Sequence, residues 1–125
     1  MISEKRLTSD APRWERGWGH ERWLHNDELY CAKMLIVEPG KRGSLHFHKV
    51  KTETMLCLAG HGTINAIAPD DGRLYSFSFS AGEFFTIPPC HPHQIVNDDH
   101  SDQLVIAEFS TKHEETDTYR IQKGD

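Results

Sequence analysis

GKRGSLHFHKVKTETMLCLAG, residues 40–60, holds two histidines two positions apart, His46 and His48, and a carboxylate, Glu53, after a further turn's worth of chain. On a strand, side chains at i and i+2 share a face, so both imidazoles point the same way. The four residues between His48 and Glu53 let the chain turn and bring the carboxylate back. Two imidazoles and a carboxylate converging on one point suit a divalent ion: zinc, manganese, iron or nickel. A fourth ligand must come from elsewhere, and His93, in FFTIPPCHPHQIVN, is the candidate. An isolated HxH is more often a pair of exposed histidines beside a solvated glutamate, so the surroundings have to decide.

Outward from this stretch the chain reads as short strands separated by turn residues. Glu28 to Glu38, ELYCAKMLIVE, is apolar and β-branched and stops at Pro39-Gly40, which predicts a strand. Its alternation puts Lys33 on the face of Cys31, Leu35 and Val37. Such a lysine either sits at the strand's end in solvent or projects into a site, and solvent is the expectation. Further strands are predicted at 44–48, 53–59, 63–68, 74–79, 83–87, 93–96 and 103–109. Pro69-Asp70-Asp71-Gly72 supplies a hairpin turn, and Tyr75, Phe77 and Phe79 alternate with serines to give an aromatic inner face. The tail, KHEETDTYRIQKGD, has room for one short helix or a last strand. Residues 1–13 are polar and aperiodic and are expected to form a loose arm or an early edge strand. In WERGWGHERWLHND, residues 14–27, three tryptophans sit among charges; they pack over one mouth of the fold or form a wall against a substrate.

Eight to ten short strands with no long helix make an all-β fold, closed or double-sheeted, in one domain spanning 1–125. Charged groups inside such a barrel need a reason to be buried, and a metal supplies it. Each buried histidine should then donate its second ring nitrogen to a neighbour. The balance of 14 basic and 19 acidic residues gives a net charge of −5 with no basic run, which makes nucleic acid and anionic membrane poor partners. Apolar runs such as Met34–Val37 and Met55–Ala59 are short, so no membrane span or signal sequence is expected. Three cysteines, Cys31, Cys57 and Cys90, read as reduced thiols and a cytoplasmic location.

Taken together, Gly40-x5-His46-x-His48-x4-Glu53-x6-Gly60 and, downstream, Gly82-x5-Pro88 with His93-x3-Asn97 resemble the two motifs of the cupin superfamily, in order and at matching spacing. The resemblance implies a small double-stranded β-helix (a jelly-roll barrel) and a metal held by His46, His48, Glu53 and His93. Cys90 stands where the second motif has glycine; if that position needs positive φ, the cysteine is strained. Within cupins the chain is most similar to the type II mannose-6-phosphate isomerase domain. The likeness runs through Trp18-Gly19, Ser44-Leu45, Lys51-Thr52-Glu53 in place of Arg-Ala-Glu, Ile106-Ala107-Glu108, and Asp117-Thr118-Tyr119-Arg120. It departs at His46, where that family has glutamine, and at Lys51, which keeps the charge but not the guanidinium fork.

That likeness implies a metal-dependent isomerase of a sugar or sugar phosphate, which moves a proton between adjacent carbons. The base could be Glu108, Lys33 or Glu83, with Glu108 closest to the family pattern. Lys33, Lys41, Arg42, Lys51 and Arg120 are the cations available to a phosphate, Lys51 and Arg120 by resemblance; each is otherwise a solvated surface charge. Two other readings stay open: an iron-dependent dioxygenase, and a non-enzymatic sugar- or effector-binding barrel. A homodimer is expected, because exposed sheet edges need covering.

Overall fold

The computed structural model describes all 125 residues. Eleven strands follow one another: β1 Arg13–Arg16, β2 Gly19–Asn26, β3 Cys31–Val37, β4 Leu45–Phe47, β5 Glu53–Ala59, β6 His61–Ile67, β7 Leu74–Ser80, β8 Phe84–Ile87, β9 His93–Val96, β10 Leu104–Ser110 and β11 Tyr119–Gln122. The only helical pieces are single 3-10 turns at Thr8–Asp10 and Glu115–Asp117. No helix is long and apolar enough to cross a membrane. Every strand pairs antiparallel. Six form one sheet in the order β1-β2-β3-β10-β5-β8, and five form the other in the order β11-β4-β9-β6-β7. The fold is the all-β, double-sheet barrel that the sequence implies.

Period-two burial explains why these segments are strands. In β3 the residues Cys31, Lys33, Leu35 and Val37 are buried while their neighbours are half-exposed, and β5 buries Glu53, Met55 and Cys57 in the same way. The register then sorts the inner face of the larger sheet into rows. Val37 lies opposite Leu104, and Leu35 opposite Ile106, which in turn faces Cys57. Further along come Lys33 opposite Glu108, and Ser110 opposite Glu53. One end of the barrel is therefore an apolar plug, built from residues such as Leu35, Ile64, Phe79, Leu104 and Ile106. The other end carries charge. That gradient along the strands places the site.

Residues 14–27, expected to supply aromatics that pack over a mouth of the fold or wall a substrate, form most of β1 and all of β2, a hairpin added to the edge of the larger sheet. In the tail, where one short helix or a last strand was expected, a single 3-10 turn is followed by β11 on the smaller sheet. Phe79 is buried as predicted, but the aromatic face of β7 opens toward Phe77, which is exposed.

Of the turns with left-handed backbone, two bear on how the barrel is held together. Gly60, between β5 and β6, has φ of 82°, and a Cβ there would stand 2.6 Å from the Gln103 carbonyl oxygen. Cys90 is the one non-glycine residue with positive φ, at 64°. Its N–H donates to the His48 carbonyl at 2.6 Å, so the conformation is held by a contact to the ligand-bearing stretch. Left-handed backbone costs a side-chain-bearing residue about 1–2 kcal/mol, against about 0.5–1 kcal/mol of extra chain entropy for glycine. Cys90→Gly is accordingly expected to raise the unfolding free energy by about 0.5–1 kcal/mol, with metal content unchanged. A urea midpoint at or below that of the parent counts against strain at this turn.

Candidate metal centre

The two sheets divide the chemistry between them. The smaller sheet contributes imidazoles: His46 and His48 flank Phe47 in the β4 stretch, and His93 opens β9 directly opposite His46 in the register. The larger sheet contributes charged groups, Glu53 at the start of β5, Glu108 on β10, Lys33 on β3 and Glu21 on β2. The ligand nitrogens of His46, His48 and His93 lie within 4.8 Å of one another and can hold a metal ion.

Their second ring nitrogens fix which atom faces the centre. His46 Nδ1 lies 3.1 Å from the Ser44 carbonyl oxygen, His48 Nδ1 2.9 Å from that of Asp117, and His93 Nδ1 2.9 Å from that of His91. A carbonyl only accepts, so each Nδ1 carries the proton and each neutral ring turns the Nε2 lone pair inward. Glu53 meets them there, with Oε1 3.0 Å from His48 Nε2 and Oε2 3.2 Å from His93 Nε2. Lone pairs of neutral imidazoles do not attract a carboxylate, and Glu53 Oε2 is buried without a hydrogen bond. A cation among these atoms satisfies all of them, so the donor set fits a divalent ion.

The electrostatics agree. His46 is held neutral down to about 3, first by burial and then by the nearness of His93 and His48. Burial pushes His93 down, but its contact with Glu53 and the charge of that carboxylate outweigh this and raise it. Burial raises Glu53, and the His48 and His93 contacts overcome that to hold it well below the usual carboxylate range. The centre is thus an anionic carboxylate beside imidazoles, a donor set whose charge a divalent ion would balance.

Lys51 departs from its expectation as a surface charge: it is only 2 % exposed. Its ammonium lies 2.7 Å from Glu108 Oε2, 3.4 Å from Glu53 Oε1 and 2.9 Å from His113 Nδ1. Burial alone lowers a lysine, but the Glu108 and Glu53 carboxylates outweigh it and the amine is held charged. Lys33 was likewise expected in solvent and is buried instead. It pairs with Glu21 Oε1 at 3.1 Å and sits 4.3 Å from the Trp23 ring centroid. Both lysines are inside because carboxylates from distant strands neutralise them. Glu83, a candidate base, is on the exposed turn before β8, where it accepts from Ser80, and has no part in the site. Lys41 and Arg42 are exposed and do not line the cavity.

These groups border a cavity of about 170 Å³ between the sheets. Trp18 and Arg120 are on its wall, as are four residues that the sequence did not single out: Arg16, Glu21, His113 and Glu115. His113 accepts from Lys51 at Nδ1 and so donates from Nε2 to Glu115, 3.1 Å away. Burial, then the charges of Lys51 and Lys33, keeps its imidazole low and neutral. Arg16 joins Glu115 to Glu21, which closes a ring of charge around the opening. Arg120 differs from the other three cations on this wall, since it makes no ion pair.

Asp117 is the other residue that the sequence reading left without a site role. Besides the carbonyl that takes His48 Nδ1–H, its carboxylate accepts the backbone N–H groups of Lys49, Val50 and Lys51. It thereby fixes the turn between His48 and Glu53. Nothing in the periodicity of the tail signals this; the Asp-x-x-Arg likeness marks the position without its reason. Asn97, the last residue of the second motif, is structural: it donates to the Val37 and Asp102 carbonyls and ties the end of β9 to β3.

Solved structures similar to this fold include the formate complex of oxalate decarboxylase from Lactobacillus farciminis, at 22% identity and a TM-score of 0.79, covering 97% of this chain and 37% of that one. The capsular polysaccharide assembling protein CapF from Staphylococcus aureus matches at 20% identity and 0.79, over 89% of this chain and 32% of its own. Oxalate decarboxylase from Bacillus subtilis at pH 4.6 matches at 18% and 0.80, over 97% and 33%. The chain thus spans about a third of each of these proteins, and the likeness is one of fold. No curated protein matches it in sequence. The model of the family described as Cupin matches residues 16–122. With its double-sheet barrel and its inward-facing three-histidine cluster, the chain belongs to the cupin family.

Proposed function

We propose that this protein is a metal-dependent isomerase of a small, oxygen-rich substrate bearing an anionic group, of the sugar-phosphate type. The observation that carries the reading is one cavity onto which the histidine cluster, the buried Glu108 carboxylate and the unpaired Arg120 all open. Glu53 completes the ligand set as a fourth donor, and one divalent ion bound there supplies Lewis-acid stabilisation of charge developing on substrate oxygens. Glu108 is the general base. Its Oε2 is engaged by Lys51 and by Ser110 Oγ, which orients the carboxylate and leaves Oε1 for the substrate's proton. Lys51 is committed to internal pairing, so the anionic group falls to Arg120. The likeness to the type II mannose-6-phosphate isomerase domain supports the substrate class.

A proton-transfer route exchanges the hydrogen on the carbon beside the carbonyl even when net turnover is slow. Candidate sugar phosphates, mannose 6-phosphate first, are therefore expected to take up deuterium there when incubated with the protein in deuterated water. Glu108→Gln abolishes the exchange while the metal stays bound. Arg120→Ala weakens phosphorylated substrates by about tenfold or more, the loss of one charge-assisted contact, and leaves unphosphorylated ones unaffected. Oxygen uptake without deuterium exchange identifies an oxygenase and sinks the isomerase. Ligand binding with neither signal leaves a binding protein.

A further inference from the structure

His113 lies in the stretch between β10 and the 3-10 turn at Glu115–Asp117, outside every strand. Even so, contacts from distant parts of the chain hold it. Its N–H donates to Asn26 Oδ1 at 2.9 Å and its carbonyl accepts from Asn26 Nδ2 at 3.0 Å, so one side chain at the end of β2 clamps both backbone polar groups. Trp23 stands edge-on to the imidazole, with 5.3 Å between ring centroids and the planes at 76°. The Glu115 carboxylate takes the Nε2–H, and Lys51 donates to Nδ1. The side chain is only 8 % exposed. These contacts fix the direction of one lone pair, that of Nδ1, and it ends on the Lys51 ammonium.

A lysine ammonium has three N–H groups and no acceptor. Around that of Lys51 stand three acceptors, Glu108 Oε2, Glu53 Oε1 and His113 Nδ1. Two are carboxylates of neighbouring strands in the larger sheet, and the third reaches in from outside that sheet. We propose that His113 is a positioning residue: by taking the third N–H it fixes the rotation of the Lys51 ammonium and, through it, the Glu108 carboxylate. The inference rests on the reading of Glu108 as the base. Without the imidazole acceptor a buried N–H is left unsatisfied, and the flexible lysine stem lets the ammonium turn toward a new partner. One such partner is Glu108 Oε1, on the carboxylate that Lys51 already holds, and that is the oxygen kept for the substrate's proton. The neutral ring suits the task. A carboxylate in its place would compete with Glu108 for the ammonium and add a third negative charge to the cluster.

Two substitutions in the full chain test this. His113→Leu keeps side-chain bulk without an acceptor, and His113→Asn places Oδ1 where Nδ1 stood. In deuterium exchange of mannose 6-phosphate, His113→Leu is expected to lower kcat by about 10–100-fold, the cost of a misplaced catalytic group, with KM unchanged. His113→Asn recovers most of the loss. Parental kcat in folded His113→Leu overturns the proposal, and so does a KM rise at unchanged kcat, which would make His113 a substrate contact. Nitrogen NMR of the zinc-loaded protein at neutral pH reads the same bond without substrate. The parent is expected to show His113 bare at Nδ1 and protonated at Nε2, with a Lys51 ammonium signal protected from exchange with water. That signal is lost in His113→Leu and kept in His113→Asn. Absence of deuterium exchange in the parent sinks the isomerase reading and leaves these spectra to decide: a Lys51 signal that survives in His113→Leu overturns the positioning role, and its loss upholds it. If His113→Leu does not fold, Asn26→Ala, at an exposed position away from the cavity, removes the clamp on residue 113. It is expected to lower kcat about tenfold and to release the Lys51 signal, and parental values of both overturn the proposal.

Discussion

His93→Ala is expected to purify with well under one metal ion per chain, and His46→Ala and His48→Ala likewise. His93 is almost fully buried, its Nε2 faces the other two imidazoles, and its ring orientation is fixed by the His91 carbonyl. Loss of an outer partner of a metal ligand already costs about 10–100-fold in affinity, so loss of a ligand itself is expected to cost at least ~100-fold. Elemental analysis of protein purified without chelator reads the stoichiometry, and zinc titration reads the affinity. Stoichiometric metal in all three variants places the metal elsewhere. Glu53→Gln is milder, since the amide oxygen still coordinates while its charge is lost.

The same centre sets a pH dependence. Metal and protons compete for the Nε2 atoms, so binding releases protons, and the raised His93 means that one of them must leave a favoured place. Occupancy therefore falls as the pH is lowered. In the metal-free protein His46 adds a folding term of the same direction. The unfolded chain takes up its proton below the ordinary value of 6.5, whereas the folded chain refuses it down to about 3. Stability from this group is complete above 6.5 and is lost progressively as the pH falls toward 3.

Lys51→Met is the second large effect, and it concerns folding. The ammonium is the shared counter-ion of Glu53 and Glu108, both buried, and its removal strands two carboxylates against each other. Breaking a buried pair from one side costs about 3–5 kcal/mol, which is a large part of the 5–15 kcal/mol that typical domains possess. Urea unfolding of the metal-free protein reads this directly. Adding Glu108→Gln to Lys51→Met should recover part of the loss, because one stranded charge becomes neutral. A destabilisation below 1 kcal/mol would show that water reaches Lys51 and that the pair is solvated.

The histidine pair of the cluster was legible in the sequence because it obeys a local rule. His46 and His48 declare a shared face by their spacing, and β5 and β10 declare themselves by alternation and flanking turns. The orientation of Lys33 was legible too, on the face of Cys31 and Leu35, but its environment was not. Whether a lysine on an inner face is solvated or buried depends on a carboxylate across the barrel, and Glu21, Glu108 and Glu53 approach Lys33 and Lys51 only through strand pairing and the β4–β5 turn. His113 and Asp117 were illegible for the same reason, since their partners lie more than sixty residues earlier. The β1–β2 hairpin was missed because charges occupy its inward positions, such as Glu21, so its alternation does not read as apolar against polar.

The bond from Asp117 back to His48 has a consequence for the order of assembly. Synthesis from the amino end delivers His46, His48, Glu53 and His93 well before Asp117, yet the His48 tautomer and the turn behind it await that late residue. A growing chain thus carries all three histidines of the cluster before the segment that orients His48 has emerged. A metal site built on that cluster would be complete only once the last segment has docked.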